Sequence, residues 1–265
     1  FNLMKIYSVI FLINFLTNVN SFNPLSKTKF KTFNQKGENP VIFYTAAFNK
    51  IPNDVYSDLI DKFCEDDLKI VVPSDVNNNK FINKFDDKVT IIGHSSGCVN
   101  AIEASENKNV DKLILIDPID NRFFNDEDYD DIVDINVDKA LLLYTKKSYE
   151  WNFLSFPFVP DKLSLKPDQI NINDNENKEI IEISKYGHCD ILDRHWADFA
   201  NQFVTKGHKN RFNINKYHKW LSMLTAKFVN DDFENFESEK INEFMEDDYK
   251  YITKKDNKLE IIVSE

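Results

Sequence analysis

A chain of 265 residues suffices for one large domain, or one domain with tails. With 42% hydrophobic residues it can bury a core. With 29% charged residues and a net charge of −11 it lacks the basic face that a phosphate backbone requires, which argues against a nucleic-acid partner.

The chain opens on a processing signal. Met4 reads as the initiator, Lys5 is a short positive region, and Ile6 to Leu16 is an apolar run. Val19 and Ser21 place small residues where a signal peptidase cuts, so residues 1–21 are expected to be a secretory signal peptide, too short to span a membrane. Residues 22–37 carry Lys27, Lys29, Lys31 and Lys36 with hydroxylated residues and no acid until Glu38, the composition of a transit peptide. Signal plus transit segment resembles the bipartite leader of algae with complex plastids. An ordinary exported protein with a basic N-terminus is the alternative.

The folded part is expected to begin at Pro40, within a domain spanning residues 38–230. Val41–Tyr44 reads as a short buried strand, and Asn53-Asp54 as the cap of a helix over Val55–Glu65. Leu68–Val72 is the next strand. Val89–Ile92 is another and leads into Gly93-His94-Ser95-Ser96-Gly97, with a helix-like run over Val99–Ala104. Val110–Ile116 ends at Asp117-Pro118, Ala140–Tyr144 is a further strand, and Glu179–Ser184 reads as the last, feeding Tyr186-Gly187-His188. Asp193–Val204 and Ile214–Val229 carry helical periodicity. Short unbroken apolar strands alternating with helices predict an α/β fold, a mostly parallel sheet covered on both faces, with chemistry at the carboxyl ends of its strands. Lys146–Lys178, rich in Pro and aromatics, reads as a substrate-side excursion. Residues 231–265 read as an acidic tail, with a small hairpin over Tyr251–Val263 around Asp256-Asn257.

Cys64, Cys98 and Cys189 form no C-x-x-C, so neither a disulfide framework nor zinc spacing is present, and no metal or cofactor is expected. Gly93 to Gly97 is instead a G-x-S-x-G pattern between strand and helix. Such a turn strains Ser95 and lifts its hydroxyl above the sheet, while Gly93 and Gly97 let strand and helix approach closely. A serine hydroxyl needs a base, and the base needs an orienting acid. His188, in a loop after a strand, is the expected base. His94 lies inside the turn and is expected to point sideways from Ser95, and His195, His208 and His218 lie in or beside helices. The strand-end Asp117 is the favoured acid, with Asp120 in reserve. Glu150 follows the other strand, and Asp190 and Asp193 are expected to cap the next helix. The oxyanion donors are expected to be the N–H of Ser96 and, after the first strand, that of Phe48.

These residues resemble the chlorophyllase family of α/β-hydrolases. Gly93-His94-Ser95-Ser96-Gly97 is similar to that family's elbow, Ile116-Asp117-Pro118-Ile119-Asp120 to its strand-end acid motif, and Tyr186-Gly187-His188-Cys189-Asp190-Ile191-Leu192-Asp193 to its histidine segment. The resemblance covers about Pro40 to Val229. Ser96 and Cys98 stand where plant members have Arg and Gly, and Ala46-Ala47 where they have His-Gly. The resemblance implies an α/β-hydrolase fold with a small cap or none and a Ser95–Asp117–His188 triad. It also implies hydrolysis of the phytyl ester of chlorophyll to chlorophyllide and phytol. A hydrophobic ester, chlorophyll or a lipid, would bring the protein to membrane surfaces. A lipase or general esterase of the same fold is the alternative, and a non-catalytic binding module a third reading.

Overall fold

A computed structural model describes residues 30–46, 51–74, 79–119, 132–149, 164–172, 177–201, 206–208, 211–233, 249–255 and 258–263. In chain order the elements begin with strands β1 (Phe30–Phe33) and β2 (Asn39–Tyr44), helix α1 (Ser57–Glu65) and strands β3 (Leu68–Pro73) and β4 (Val89–His94). Helix α2 (Gly97–Ser105) and strands β5 (Val110–Ile116), β6 (Val133–Ile135), β7 (Lys139–Thr145), β8 (Ile170–Ile172) and β9 (Lys178–Ile183) follow. Helices α3 (Arg194–Ala200) and α4 (Arg211–Val229) and strands β10 (Tyr249–Lys255) and β11 (Lys258–Val263) complete them.

The main sheet has the order β1-β3-β2-β4-β5-β7-β9-β10-β11. From β3 through β9 its neighbours run parallel, while β1 and the β10–β11 hairpin are antiparallel additions at the two edges. The inner strands are mostly apolar because both faces are covered. Val41 and Phe43 of β2, Ile114 and Ile116 of β5, and Leu141 and Leu143 of β7 meet Leu59, Ile60 and Phe63 of α1 and Ile214, Tyr217, Trp220 and Leu224 of α4. The alternate residues Ile42 and Tyr44, Leu113 and Leu115, and Ala140 and Leu142 face α2, whose Cys98, Ala101 and Ala104 are small enough to lie close on the sheet. Chain order reverses direction across the sheet between β2 and β4, which opens a crevice at their carboxyl ends. A parallel sheet wrapped in this way, with a serine turn at the end of a central strand, is the α/β-hydrolase fold.

The sheet starts earlier than Pro40. Residues 30–33, inside the basic segment, pair with β3. The Phe30 ring lies 5.6 Å from that of Phe81, and Lys31 Nζ lies 3.4 Å from the Asp54 carboxylate. Nor is β9 the last strand. Residues 249–255 pair with it, so the C-terminal hairpin extends the sheet, while residues 234–248, 256 and 257 lie outside those described. The helix expected over Val55–Glu65 begins as a 3-10 turn over Asn53–Tyr56, and neither Asn53 nor Asp54 caps it with a side chain. The cap comes from a distant residue: the Asp193 carboxylate accepts the Ser57 hydroxyl and, at 2.8 Å, the Asp58 N–H. The excursion contributes β8, which pairs with the unanticipated β6, and residues 150–163 lie outside those described. At the far end of the sheet Lys112 is buried, and its ammonium donates to Val229 O at 2.6 Å and to Asp231 at 2.8 Å, tying the end of α4 to β5.

Candidate active site

Ser95 follows β4 with φ +57°, a left-handed backbone that a serine rarely adopts. Hydrogen bonds hold it there: Ser95 N–H donates to Ile116 O at 3.0 Å, and Ser95 O accepts Cys98 N–H at 3.0 Å. The two glycines make the turn possible in different ways. A Cβ on Gly93 would lie 2.6 Å from Cys98 Cα and 2.8 Å from Ala101 Cβ, so its bareness lets α2 sit on its own strand. A Cβ on Gly97 would lie 2.4 Å from Thr45 O and 2.5 Å from Tyr44 O, so this glycine accommodates the neighbouring strand β2.

His188 Nε2 lies 2.8 Å from Ser95 Oγ. If Nε2 accepts the hydroxyl proton, the ring proton is on Nδ1, which faces Asp117 Oδ2 at 3.6 Å. That separation is an ion-pair distance rather than a hydrogen bond, and such contacts often tighten when substrate binds. Asp117 is only 5% exposed and also has a positive φ, +45°. Its carboxylate accepts Thr145 N–H at 2.6 Å, the Thr145 hydroxyl at 2.5 Å and the Ser148 hydroxyl at 2.8 Å. Burial works to raise the Asp117 carboxyl. His188 beside it, with the Thr145 donors, outweighs burial and holds it below the usual carboxylate range.

The loop bearing His188 is anchored by a second carboxylate. Asp190, fully buried, accepts the N–H groups of Gly187 at 2.8 Å and His208 at 2.7 Å and the Asn201 amide at 2.8 Å. It therefore clamps the His188 loop, and none of these three bonds caps a helix. Asp193 sits at the start of α3 and spends its carboxylate on the start of α1. Neither competes with Asp117 for His188. Asp120, Glu150 and Phe48 lie outside the described residues. Ser96, the other expected oxyanion donor, directly precedes α2, so its N–H belongs to that helix's N-terminal turn.

His94 is fully engaged. Its Nε2 lies 3.0 Å from His188 O, its Nδ1 lies 2.8 Å from the Tyr56 hydroxyl, and that hydroxyl accepts Ala46 N–H at 3.1 Å. Burial, followed by the nearby His188, pushes the His94 imidazole down to about 3, so it is neutral at any ordinary pH. His218 is buried beneath the loop and bonds Asp190 O at 2.9 Å. Burial pushes the Cys98 and Cys189 thiols up, so neither supplies a thiolate to rival Ser95.

Sequence patterns thus pointed to Ser95, Asp117 and His188, and the fold brings all three together. They did not point to Thr145, Ser148 or Tyr56, and they left His94 without partners. No local motif marks Thr145, Ser148 or Tyr56, and the motif that holds His94 does not show its partners, because those reach it from other elements of the fold.

No known family profile matches the chain, and no curated relative matches it. Among solved structures it is similar to the esterase domain of a Rhodothermus marinus protein, at 11% identity and a TM-score of 0.43, over 76% of this chain and 99% of that one. It is also similar to a monoacylglycerol lipase from Paleococcus ferrophilus, at 10% identity and 0.45, over 75% and 98%. A dienelactone hydrolase from Anabaena variabilis follows at 12% and 0.41, over 78% and 94%. Likeness of this degree says nothing about substrate.

Proposed function

We propose that the protein is a serine carboxylic-ester hydrolase. The observation that carries this reading is Ser95 in a left-handed turn with its Oγ 2.8 Å from His188 Nε2, and a buried, hydrogen-bonded Asp117 behind the base. In the first step Ser95 Oγ attacks the ester carbonyl carbon while His188 Nε2 takes the hydroxyl proton. The carbonyl oxygen becomes an oxyanion, which the Ser96 N–H and a second donor, Phe48 in our reading, stabilise. Collapse breaks the ester C–O bond. The leaving alcohol takes the proton from His188, and Ser95 is left acylated. Water then attacks the acyl carbon, gives its proton to His188, and the acid departs as Ser95 regains its proton. Asp117 stays ionised throughout and stabilises the imidazolium in both halves.

For the substrate we propose the phytyl ester of chlorophyll. Support comes from the resemblance of Tyr186 to Asp193 to the chlorophyllase histidine segment, and from the leader-like residues 1–37, which suit delivery to a plastid. A lipase or general esterase fits the same triad. Incubation with pigment extract and, separately, with short acyl esters discriminates: release of chlorophyllide supports the first, and turnover of acyl esters alone supports the second. Ser95→Ala should abolish both the turnover and labelling by a fluorophosphonate. Retention of more than about a thousandth of the rate by that variant would reject the nucleophile. A fluorescent fusion of residues 4–45 should reach the plastid of an alga with complex plastids, and export to the medium would reject that location.

A further inference from the structure

We infer that His94 is a positioning residue: with Tyr56 it forms a one-way hydrogen-bond chain that fixes the main chain of the base His188 relative to the strand end entering the oxyanion loop. The inference rests on the ester-hydrolase reading for its kinetic meaning, while its hydrogen-bond content stands independently.

The direction of the chain follows from the inventory of donors and acceptors. His188 O can only accept, so His94 Nε2, at 3.0 Å, carries the proton. A neutral imidazole then presents an unprotonated Nδ1, so the Tyr56 hydroxyl, at 2.8 Å, donates into it. Having spent its proton there, the Tyr56 oxygen accepts Ala46 N–H at 3.1 Å. The chain therefore runs Ala46 N–H to Tyr56, Tyr56 to His94, and His94 to His188 O, with one proton per link and no alternative sense.

The residues it joins are otherwise remote. Ala46 follows β2 and begins the loop on the oxyanion side. Tyr56 ends the turn before α1, His94 ends β4, and His188 lies after β9. Tyr56 and His94 are 0% and 1% exposed, so water does not compete for these bonds. The Tyr56 ring is itself wedged, edge to face, against Phe43 at 5.1 Å and His94 at 5.8 Å. The His94 ring lies 4.9 Å from that of His188. The chain thus sets the height of the base loop against the oxyanion strand, the two parts between which an ester carbonyl would sit. It also occupies Ala46 N–H, which takes that group out of the candidate oxyanion donors.

Two readouts test this. In protein carrying ¹⁵N-histidine, the His94 ring should resonate as a neutral imidazole with its proton on Nε2, assigned by its disappearance in His94→Gln. A proton on Nδ1 would overturn the chain whatever the protein catalyses. In kinetics, rates are normalised to sites titrated with a fluorophosphonate, so that loss of folded protein does not register. His94→Phe keeps the ring but neither bond, and should lower kcat per site about 10–100-fold with KM within about twofold. His94→Gln can still accept from Tyr56 and donate to His188 O, and should recover most of that loss. Tyr56→Phe, which keeps the packing, should lose about tenfold and serves if His94→Phe does not fold. Wild-type kcat per titrated site in Tyr56→Phe or His94→Phe would reduce the chain to a stability feature and overturn the inference. Undiminished hydrolysis by Ser95→Ala would instead overturn the serine-nucleophile reading, leaving the tautomer measurement to judge the chain.

Discussion

Gly97→Ala probes the least visible contact at the site. The added methyl carbon would stand 2.4 Å from Thr45 O and 2.5 Å from Tyr44 O. Both are main-chain atoms of β2 or the residue after it, so no side chain can rotate away. To reach 3.0–3.4 Å, the tightest range that Cβ contacts ordinarily occupy, α2 and the end of β2 must separate by roughly 0.6–1 Å. Overpacking of this kind costs about 1–3 kcal/mol of stability. The same shift parts the Ser96 N–H from the loop after Thr45, and a misplacement near 1 Å at a reacting centre costs about 100-fold in rate. Urea unfolding reads the first effect, and acyl-ester turnover per fluorophosphonate-titrated site reads the second. Gly37→Ala is the control, because its Cβ would meet Asp67 O at 2.7 Å and Lys69 N at 2.8 Å, in a turn that carries no catalytic group. It should lose stability comparably and keep its turnover per site. Gly97→Ala turning over within about threefold of wild type per site would refute the claim that this glycine sets the spacing of the oxyanion side.

Asp117→Asn should lower kcat by about four orders of magnitude while the protein stays folded, because an amide no longer stabilises the imidazolium or its tautomer; a loss under tenfold would move the orienting acid elsewhere. Asp190→Asn should behave oppositely, costing about 1–3 kcal/mol in urea unfolding because its amide N–H₂ must face donors, while Ser95 in the remaining folded protein still labels. Asp231 is held below its ordinary carboxylate range by its bond to Lys112 and then by that to Lys139, each at 2.8 Å. A depressed folded value means that its stabilisation is complete above the unfolded value near 3.9 and fades as pH falls below it. Because the Asp231 side chain is more than half exposed, Asp231→Asn should cost only about 0.5–1 kcal/mol near pH 7, and less at about pH 2.5. An equal loss at both values would separate the effect from the ion pairs.

The strand-and-helix alternation, and a serine, an aspartate and a histidine placed at strand ends, can be read along the chain. Unbroken runs such as Ile91-Ile92 and Leu113-Ile114-Leu115 can be strands only if both faces are covered, and that alone calls for a parallel sheet with helices on each side. Ser95, Asp117 and His188 were legible because each stands at or just beyond a strand end, a position fixed by local pattern. The edges of the sheet were less legible: β1 lies in a stretch whose lysines read as a targeting segment, so no local pattern marks it as the edge strand that pairs with β3. Which groups surround these three residues depends on how distant parts of the chain are brought together. Thr145 lies 28 positions from the Asp117 it holds, Asp193 caps a helix 135 positions away, and Tyr56 bonds a histidine 38 positions on. Even Gly97, whose bareness was predicted, makes room for the neighbouring strand rather than its own. Hydrogen bonds and close contacts are short-ranged, so their partners are set by how the sheet orders its strands, and that order is written in no local stretch of the chain.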